Sequence, residues 1–118
     1  MATANAAATL EQADDWSADF ATASLVIKAG ANVLATHTLT GFVTSNSGAN
    51  GRATANAIAD ATITGTGTQT ADNAEITAGG KTYALTVGTS GADLNLTTLT
   101  YVNGETASIS SLIVNFLA

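Results

Sequence analysis

Apolar and small polar residues alternate along most of this chain, and the alternation is clearest in the last third, residues 81–118. There Tyr83, Leu85 and Val87 are separated by single small or polar residues, which is the period-two pattern of a strand with one buried face. The segment 88–93 that follows contains Gly, Ser and Asp and predicts a turn. We therefore expect antiparallel strands in this third of the chain.

The apolar phase changes near residues 97–98 and again near residues 110–111. A bulge or kink at each point would keep the apolar side chains on one face. Asn103 and Gly104 lie between these changes and form the strongest short hairpin signal in the chain. Both residues tolerate positive φ, so the pair predicts a type I′ turn.

Two further hairpins are predicted upstream. Residues 24–29 and 33–39 alternate in the same way and are joined by a short Gly-containing loop at residues 30–32. The alternation returns at residues 74–78, where two glycines then turn the chain into the strand that begins the last third. These segments extend the predicted sheet towards the N-terminus.

The middle of the chain gives weaker signals. Residues 45–51 are predicted to form an exposed loop, because Ser, Asn and Gly dominate them. Residues 52–60 fit either an extended edge or one helical turn, and the pattern leaves both open. Residues 61–70 are predicted to form a strand whose alternate threonines face solvent.

A helix is predicted near the N-terminus, over residues 10–20. Thr9 and Gln12 have the spacing of a capping box at its start. Trp16 and Phe20 fall on the apolar arc of the helix. They anchor it either on the protein's own sheet or on another protein.

Composition indicates a thin core. Of the 118 residues 46% are hydrophobic, but 25 residues are Ala, and Leu, Ile, Val and Phe together also number only 25. Each Ala buries little apolar area, which stabilises a fold by roughly 25 cal/mol per Å². We therefore expect the chain to gain stability from contact with copies of itself or with a partner.

Charge excludes several classes of partner. Charged residues make up 10% of the chain, against about 25% in an ordinary soluble domain. The net charge of -6 disfavours binding to the phosphate backbone of nucleic acids and to anionic membrane surfaces. The absence of Cys excludes disulfides and thiolate metal sites, and no apolar run is long enough to predict a transmembrane helix.

Few residues suggest chemistry. Asp72, Asn73 and Glu75 offer oxygen ligands for a weakly bound Ca²⁺ but lack the spacing of an EF-hand loop, so a solvated turn is favoured. His37 is the single histidine and is interpreted as an ordinary strand residue. Residues 65–67 resemble a phosphate-binding loop but lack the Lys that a Walker loop needs. We therefore expect no enzyme and no cofactor.

Three blocks of the sequence resemble small virion proteins of tailed bacteriophages, of the kind encoded near the major capsid protein. The blocks are SADFATASLVIKAG, the Gly- and Thr-rich middle that runs into TADNAEI, and LTVGTSGADLNLTTLTYVNGETASISSLIVNF. Together they cover most of the chain, and the third is the most distinctive. The resemblance implies a β-rich cement or decoration protein on the outer capsid surface. Its implied partners are the major capsid protein and further copies of itself, as a dimer or trimer.

We accordingly expect an all-β fold, an antiparallel β-sandwich or barrel, with a short N-terminal helix or extended arm in residues 1–20 and a single β domain in residues 21–118. Two other functions stay open: a tail or fibre component of the virion, and a carbohydrate-binding module. The predicted apolar anchors for a partner are Trp16, Phe20, Phe116 and Leu117. The aromatic platform of a carbohydrate-binding module would use Tyr83, Tyr101 or Trp16.

Overall fold

The computed structural model of the protein describes residues 5–116. Most of these residues are in β-strands, and one helix lies at the N-terminal end, which confirms the predicted all-β class with a short helix. The elements in chain order are α1 (Ala6–Asp19), β1 (Ser24–Ala29), β2 (Asn32–Thr38), β3 (Phe42–Ser47), β4 (Asn50–Ala55), β5 (Ala61–Thr62), β6 (Thr68–Thr70), β7 (Asn73–Ala78), β8 (Lys81–Leu85), β9 (Val87–Gly88), β10 (Leu94–Leu96), β11 (Thr100–Val102), β12 (Thr106–Ala107) and β13 (Ile109–Phe116).

Two main sheets organise these strands. The smaller has the order β2-β1-β7-β8 and the larger the order β3-β4-β13-β10-β9, and two short ladders pair β11 with β6 and β12 with β5. All pairs are antiparallel except β9 with β10, which is parallel. The chain passes twice from an edge of the smaller sheet to an edge of the larger one, from β2 to β3 and from β8 to β9. Both main sheets therefore keep open edges.

The molecule is elongated, with principal extents of 47 × 25 × 24 Å. Its radius of gyration is 14.8 Å, whereas a compact domain of this length would have about 13.5 Å. Buried side chains from both main sheets and from α1 nevertheless form one apolar cluster. The helix is thus part of the same core as the strands.

The two hairpins of the smaller sheet confirm their predictions. β1 pairs with β2 across a two-residue turn, and β7 pairs with β8 across Gly79 and Gly80. Both glycines have positive φ, at 56° and 82°, which is the pattern of a type I′ turn. β2 also carries a bulge opposite the Ile27–Lys28 step, so that Leu34 and Ala35 are both buried.

The helix begins one turn earlier than predicted. Asn5 is its N-cap, with a side-chain oxygen that accepts a hydrogen bond from the Ala8 N–H at 3.0 Å. The capping box predicted at Thr9 and Gln12 is therefore wrong, because Asn5 and the alanines after it start the helix first. Thr9 is fully buried, and its hydroxyl donates to the carbonyl of Ala49 at 2.6 Å.

Residues 45–51, predicted as a loop, instead form most of a regular hairpin. β3 and β4 pair over six residues without a register shift, and their turn is Gly48 followed by Ala49. Gly48 has a φ of 62° and Ala49 a negative φ, which is the pattern of a type II′ turn. The segment is extended because its backbone pairs with β4, and the Asn46 side chain donates to the Ala6 carbonyl of α1 at 2.9 Å. The Ser and Asn side chains of β3 are exposed, which explains why the segment is polar. Residues 52–55 belong to β4, which has a neighbouring strand on each side, and residues 56–60 are irregular. Neither alternative for residues 52–60, an extended edge or one helical turn, therefore describes the segment.

The remaining middle and C-terminal predictions are met in part. Residues 61–70 form two short strands, β5 and β6, separated by a bend, and not one continuous strand. The turn at Asn103 and Gly104 is present, with the Glu105 N–H donating to the Val102 carbonyl at 3.1 Å. Only Gly104 has positive φ, so the turn is not type I′, and the strands on its two sides pair with different partners.

The bulge predicted near residues 110–111 is confirmed. Leu96 pairs with Ile109, and its neighbour Asn95 pairs with Ser111, so Ser110 is the extra residue. The bulge changes the phase of β13, and Leu112 and Val114 then both face the core. Sequence alternation located this irregularity because only an inserted residue reconciles the two apolar phases.

α1 lies directly on the β3–β4 hairpin. A Cβ added at Gly51 would overlap the carbonyl oxygen of Thr9 and lie 3.2 Å from the nitrogen of Leu10. The Thr44 hydroxyl donates to the Asp14 carboxylate, which fixes the helix over the edge strand. Helix and hairpin can approach this closely only because residue 51 has no side chain.

Gly51→Ala is expected to destabilise the fold by about 1–3 kcal/mol or more, because the added methyl group must push α1 off the hairpin. Urea unfolding followed by Trp16 fluorescence measures the change. Gly88→Ala is the matched control, since Gly88 also lacks a positive φ and its added Cβ would meet the nearest atom, on Ala92, at 3.3 Å. We expect that variant to lie within about 1 kcal/mol of the parent protein. Equal stability of the two variants would contradict the packing described here.

Candidate functional site

Three of the predicted partner anchors, Trp16, Phe20 and Phe116, belong to an aromatic cluster that also contains Phe42 and the partly exposed Tyr83. The Trp16 ring stacks on Phe20 with centroids 4.6 Å apart and meets the edges of Phe42 and Tyr83 at 4.8 and 5.6 Å. Phe116 lies against the same ring at 5.8 Å. Leu117, the fourth predicted anchor, lies outside the described residues.

The aromatic cluster joins α1 to both sheets. Trp16 is 6% exposed and Phe20 is 1% exposed, so the apolar surface of both rings is buried in the protein's own core. Phe116 is partly buried against that core. Their use as anchors for a partner stays a prediction, and in this structure it would require α1 to lift from the hairpin.

Of the three rings predicted for a carbohydrate platform, Tyr83 alone is exposed. Tyr101 is 1% exposed and Trp16 is buried, whereas Tyr83 is 43% exposed at the edge of the smaller sheet. Burial raises the pKa of the Tyr101 hydroxyl, and the Glu105 carboxylate raises it further. Sugar-binding modules stack ligands on exposed rings, and here one of the three rings is exposed.

The predicted oxygen ligands near residue 72 have other roles. Asp72 accepts a hydrogen bond from the Gly30 N–H at 2.9 Å and a second from the Asn73 side chain at 2.6 Å. Glu75 is paired with Lys28 on the solvent side of the smaller sheet. The carboxylates therefore do not converge, and no group of three His, Asp or Glu side chains within residues 5–116 could hold a metal ion.

These hydrogen bonds set the protonation of Asp72. The Gly30 N–H holds the pKa of this exposed carboxyl below its usual value of 3.8, and the Asn73 amide adds to the effect. The carboxylate thereby links the turn after β1 to the start of β7. Its role is to hold a turn, as the solvated-turn interpretation predicted.

His37 lies on the buried face of β2, with 2% of its surface exposed. Its Nδ1 is 2.9 Å from the carbonyl oxygen of Ala59, so Nδ1–H is the donor. This bond fixes the irregular segment after β4 against the smaller sheet. His37 lies on a strand, as expected, and its Nε2 is buried without a hydrogen-bond partner among the described residues.

Two hollows in the surface lack titratable groups. A cleft of about 90 Å³ opens where β4 and β13 diverge, and Asn56, Ile58 and Ser110 are among its lining residues. A wider hollow of about 460 Å³ lies beside the turn after β1, lined by Asn32, Val33, Gly65, Thr66 and Gln69. Ser110 and Thr66 offer hydroxyls, but neither hollow has an acid or a base among its lining residues to activate them.

The feature that sequence reasoning missed is the outer edge of β3. This strand contains no charged residue and no Pro, and it pairs regularly with β4 on one side only. Val43, the second residue of the strand, is 61% exposed, more than Val33, Tyr83 or Val102. Natural proteins usually blunt such an edge, because its unpaired backbone groups invite another strand.

The helix α1 is acidic, and one of its carboxylates, Asp14, accepts a hydrogen bond from Thr44 of β3. Four of the nine acidic residues lie on α1, namely Glu11, Asp14, Asp15 and Asp19. All four are exposed, and Asp19 is paired with Lys81 at 2.9 Å. Arg52 lies on the face of the larger sheet opposite α1, and it forms no ion pair with any residue that the structure describes.

Comparison with known proteins adds no relative. No protein-family model matches the chain, and neither the curated proteins nor the solved structures contain a match. The resemblance to phage virion proteins therefore stays a prediction. In the part of the chain that the structure describes, α1 is too short and too polar to cross a membrane.

Asp72→Ala is expected to lower the free energy of unfolding near neutral pH and to lose this effect in acid. The folded-state pKa of Asp72 is depressed, so its stabilising contribution is present above the unfolded-state pKa and disappears as pH falls through the folded-state pKa. Urea unfolding between about pH 6 and about pH 2 measures the difference. Asp60→Ala, at an exposed acid on the irregular segment after β4, is the control. A deficit that stays constant over this range would contradict the assignment.

Proposed function

We propose that this protein is a non-enzymatic structural component of a phage virion, a cement protein that binds the major capsid protein across the seams between capsomers. The observation that carries the proposal is the open edge of β3, which has six residues, carries no charge and lies beside the Asp14 carboxylate of α1. A strand edge of this kind suits a protein whose work is to bind other chains. The sequence resemblance supports the same class.

Binding would stabilise a shell by mass action. A ligand that prefers the intact shell over its opened forms contributes about 2.7 kcal/mol at a concentration one hundred times its dissociation constant. Copies bound at neighbouring seams add avidity if they also contact one another. Self-association into a dimer or trimer therefore belongs to the proposal, with the outer capsid surface as its location.

A second candidate is a tail or fibre component of the virion. The elongated shape, with one extent nearly twice the other two, favours it as a spacer between other chains. It would remain on isolated tails, whereas a cement protein would remain on heads. Fractionated particles separate these two functions.

Purified protein is expected to co-sediment with empty capsids and to raise their melting temperature, because it binds the closed shell more tightly than its opened forms. Sedimentation followed by gel densitometry, with calorimetry of the same shells, measures both effects. Val43→Lys is expected to weaken binding by charging the β3 edge. Val33→Lys is the matched control, since Val33 is 45% exposed on an edge strand of the other sheet. Protein that neither sediments with capsids nor changes their melting would contradict the proposal.

A further inference from the structure

The backbone of β3 offers hydrogen-bonding groups to solvent at alternate residues. Ser47 pairs with Asn50 across the two-residue turn, so hydrogen bonds to β4 recur at every second residue from Ser47. Between these positions, Thr44 and Asn46 direct their N–H and C=O groups away from β4. Among the described residues none of these groups has a hydrogen-bond partner. The outer edge of β3 can therefore form the backbone hydrogen bonds of an antiparallel pair with one further strand.

The other sheet edges are less available. β2 is partly covered, because the Thr64 N–H donates to the Leu34 carbonyl at 2.8 Å. β8 begins with a charged residue, Lys81, and β9 has only two residues. β3 combines length, regular register and absence of charge, which are the features that promote strand addition.

Charge selects the kind of strand that β3 would accept. Thr44 holds the Asp14 carboxylate over the edge, and Glu11, three residues earlier on α1, is its neighbour on the helix surface. Lys28 and Lys81 are each paired with an acid elsewhere, and Arg52 lies on the opposite face of the sheet. The α1 side of the edge is thus negative, without a compensating base among the described residues.

A second copy of this chain is a poor occupant. Antiparallel pairing of β3 with β3 about a two-fold axis normal to the sheet places both helices on one face. Glu11 and Asp14 of each copy would then approach those of the other, in addition to the net charge of -6 on each chain. A basic segment of a different protein would be attracted by the same carboxylates that repel a second copy.

We propose that β3 accepts an extended segment of a partner protein as a sixth strand of the larger sheet, with Lys or Arg at the positions that face α1. Side chains at the intervening positions lie on the opposite face beside Val43, and this face favours β-branched residues. The inference deepens the proposed function by naming the surface that would hold the capsid protein. Backbone hydrogen bonds supply affinity, and the carboxylates select a basic sequence.

A synthetic peptide that alternates Val and Lys tests this inference without any capsid. At saturating peptide, we expect amide hydrogen exchange at Thr44 and Asn46 to slow by about tenfold, because these amides gain partners. The amides of Val43 and Ser45, which already bond to β4, are expected to change little. A peptide with Glu in place of Lys is expected to bind about tenfold more weakly or not at all.

Two substitutions in α1 separate the charge from the fold. Asp14→Asn keeps an oxygen that accepts from the Thr44 hydroxyl but removes the negative charge. It is expected to weaken binding of the Lys peptide severalfold and to reduce its salt dependence. Asp15→Asn removes the same charge from the next position, which points away from β3, and is expected to bind as the parent does.

Three results would overturn the inference: no binding of either peptide, binding without protection of Thr44 and Asn46, or equal binding of the Asp14→Asn and parent proteins. Protection of both amides in concentrated protein without peptide would show that a second copy occupies the edge. The proposed function fails separately. Peptide binding with no affinity for capsids would reject the cement role and leave the edge site standing.

Discussion

The close approach of α1 to the β3–β4 hairpin is the contact on which the rest of the structure depends. It requires Gly at position 51, because any side chain there would overlap the backbone of Thr9. The Thr9 hydroxyl donates a hydrogen bond to the Ala49 carbonyl, which adds a polar contact between helix and hairpin. A chain with few large apolar residues thus gains a helix-on-sheet contact from small ones, since atoms in closer contact gain more dispersion energy.

This contact decides which surfaces remain for other molecules. Once α1 is in place, the rings of Trp16 and Phe20 are buried against Phe42, Tyr83 and Phe116 and are not free to contact another molecule. The helix covers one face of the β3–β4 hairpin but leaves its outer edge open, and it brings the Asp14 carboxylate to that edge. The packing of α1 on the hairpin therefore determines both which aromatic rings are buried and which edge of β3 stays exposed.

Sequence patterns predicted the parts of the fold that local chemistry determines. The glycine turns and the bulge at Ser110 follow from positive φ and from a change of apolar phase, and both signals lie within a few residues. The β3–β4 hairpin was missed because its Ser and Asn residues are typical of loops, although Gly48 at the turn was a type II′ signal. The open edge could not be predicted, because strand order decides which strand has one neighbour.

Amide hydrogen exchange of the free protein tests most directly whether α1 belongs to the core. We expect Ala13 and Trp16 in α1 to exchange with the same free energy of opening as Leu25 and Ile76 in the smaller sheet, because the helix can leave only when the shared core opens. Exchange of the α1 amides at the rates of an unstructured peptide, while the sheet stays protected, would show that the helix is a detachable arm. The close packing on Gly51 would then not be the contact that holds the fold.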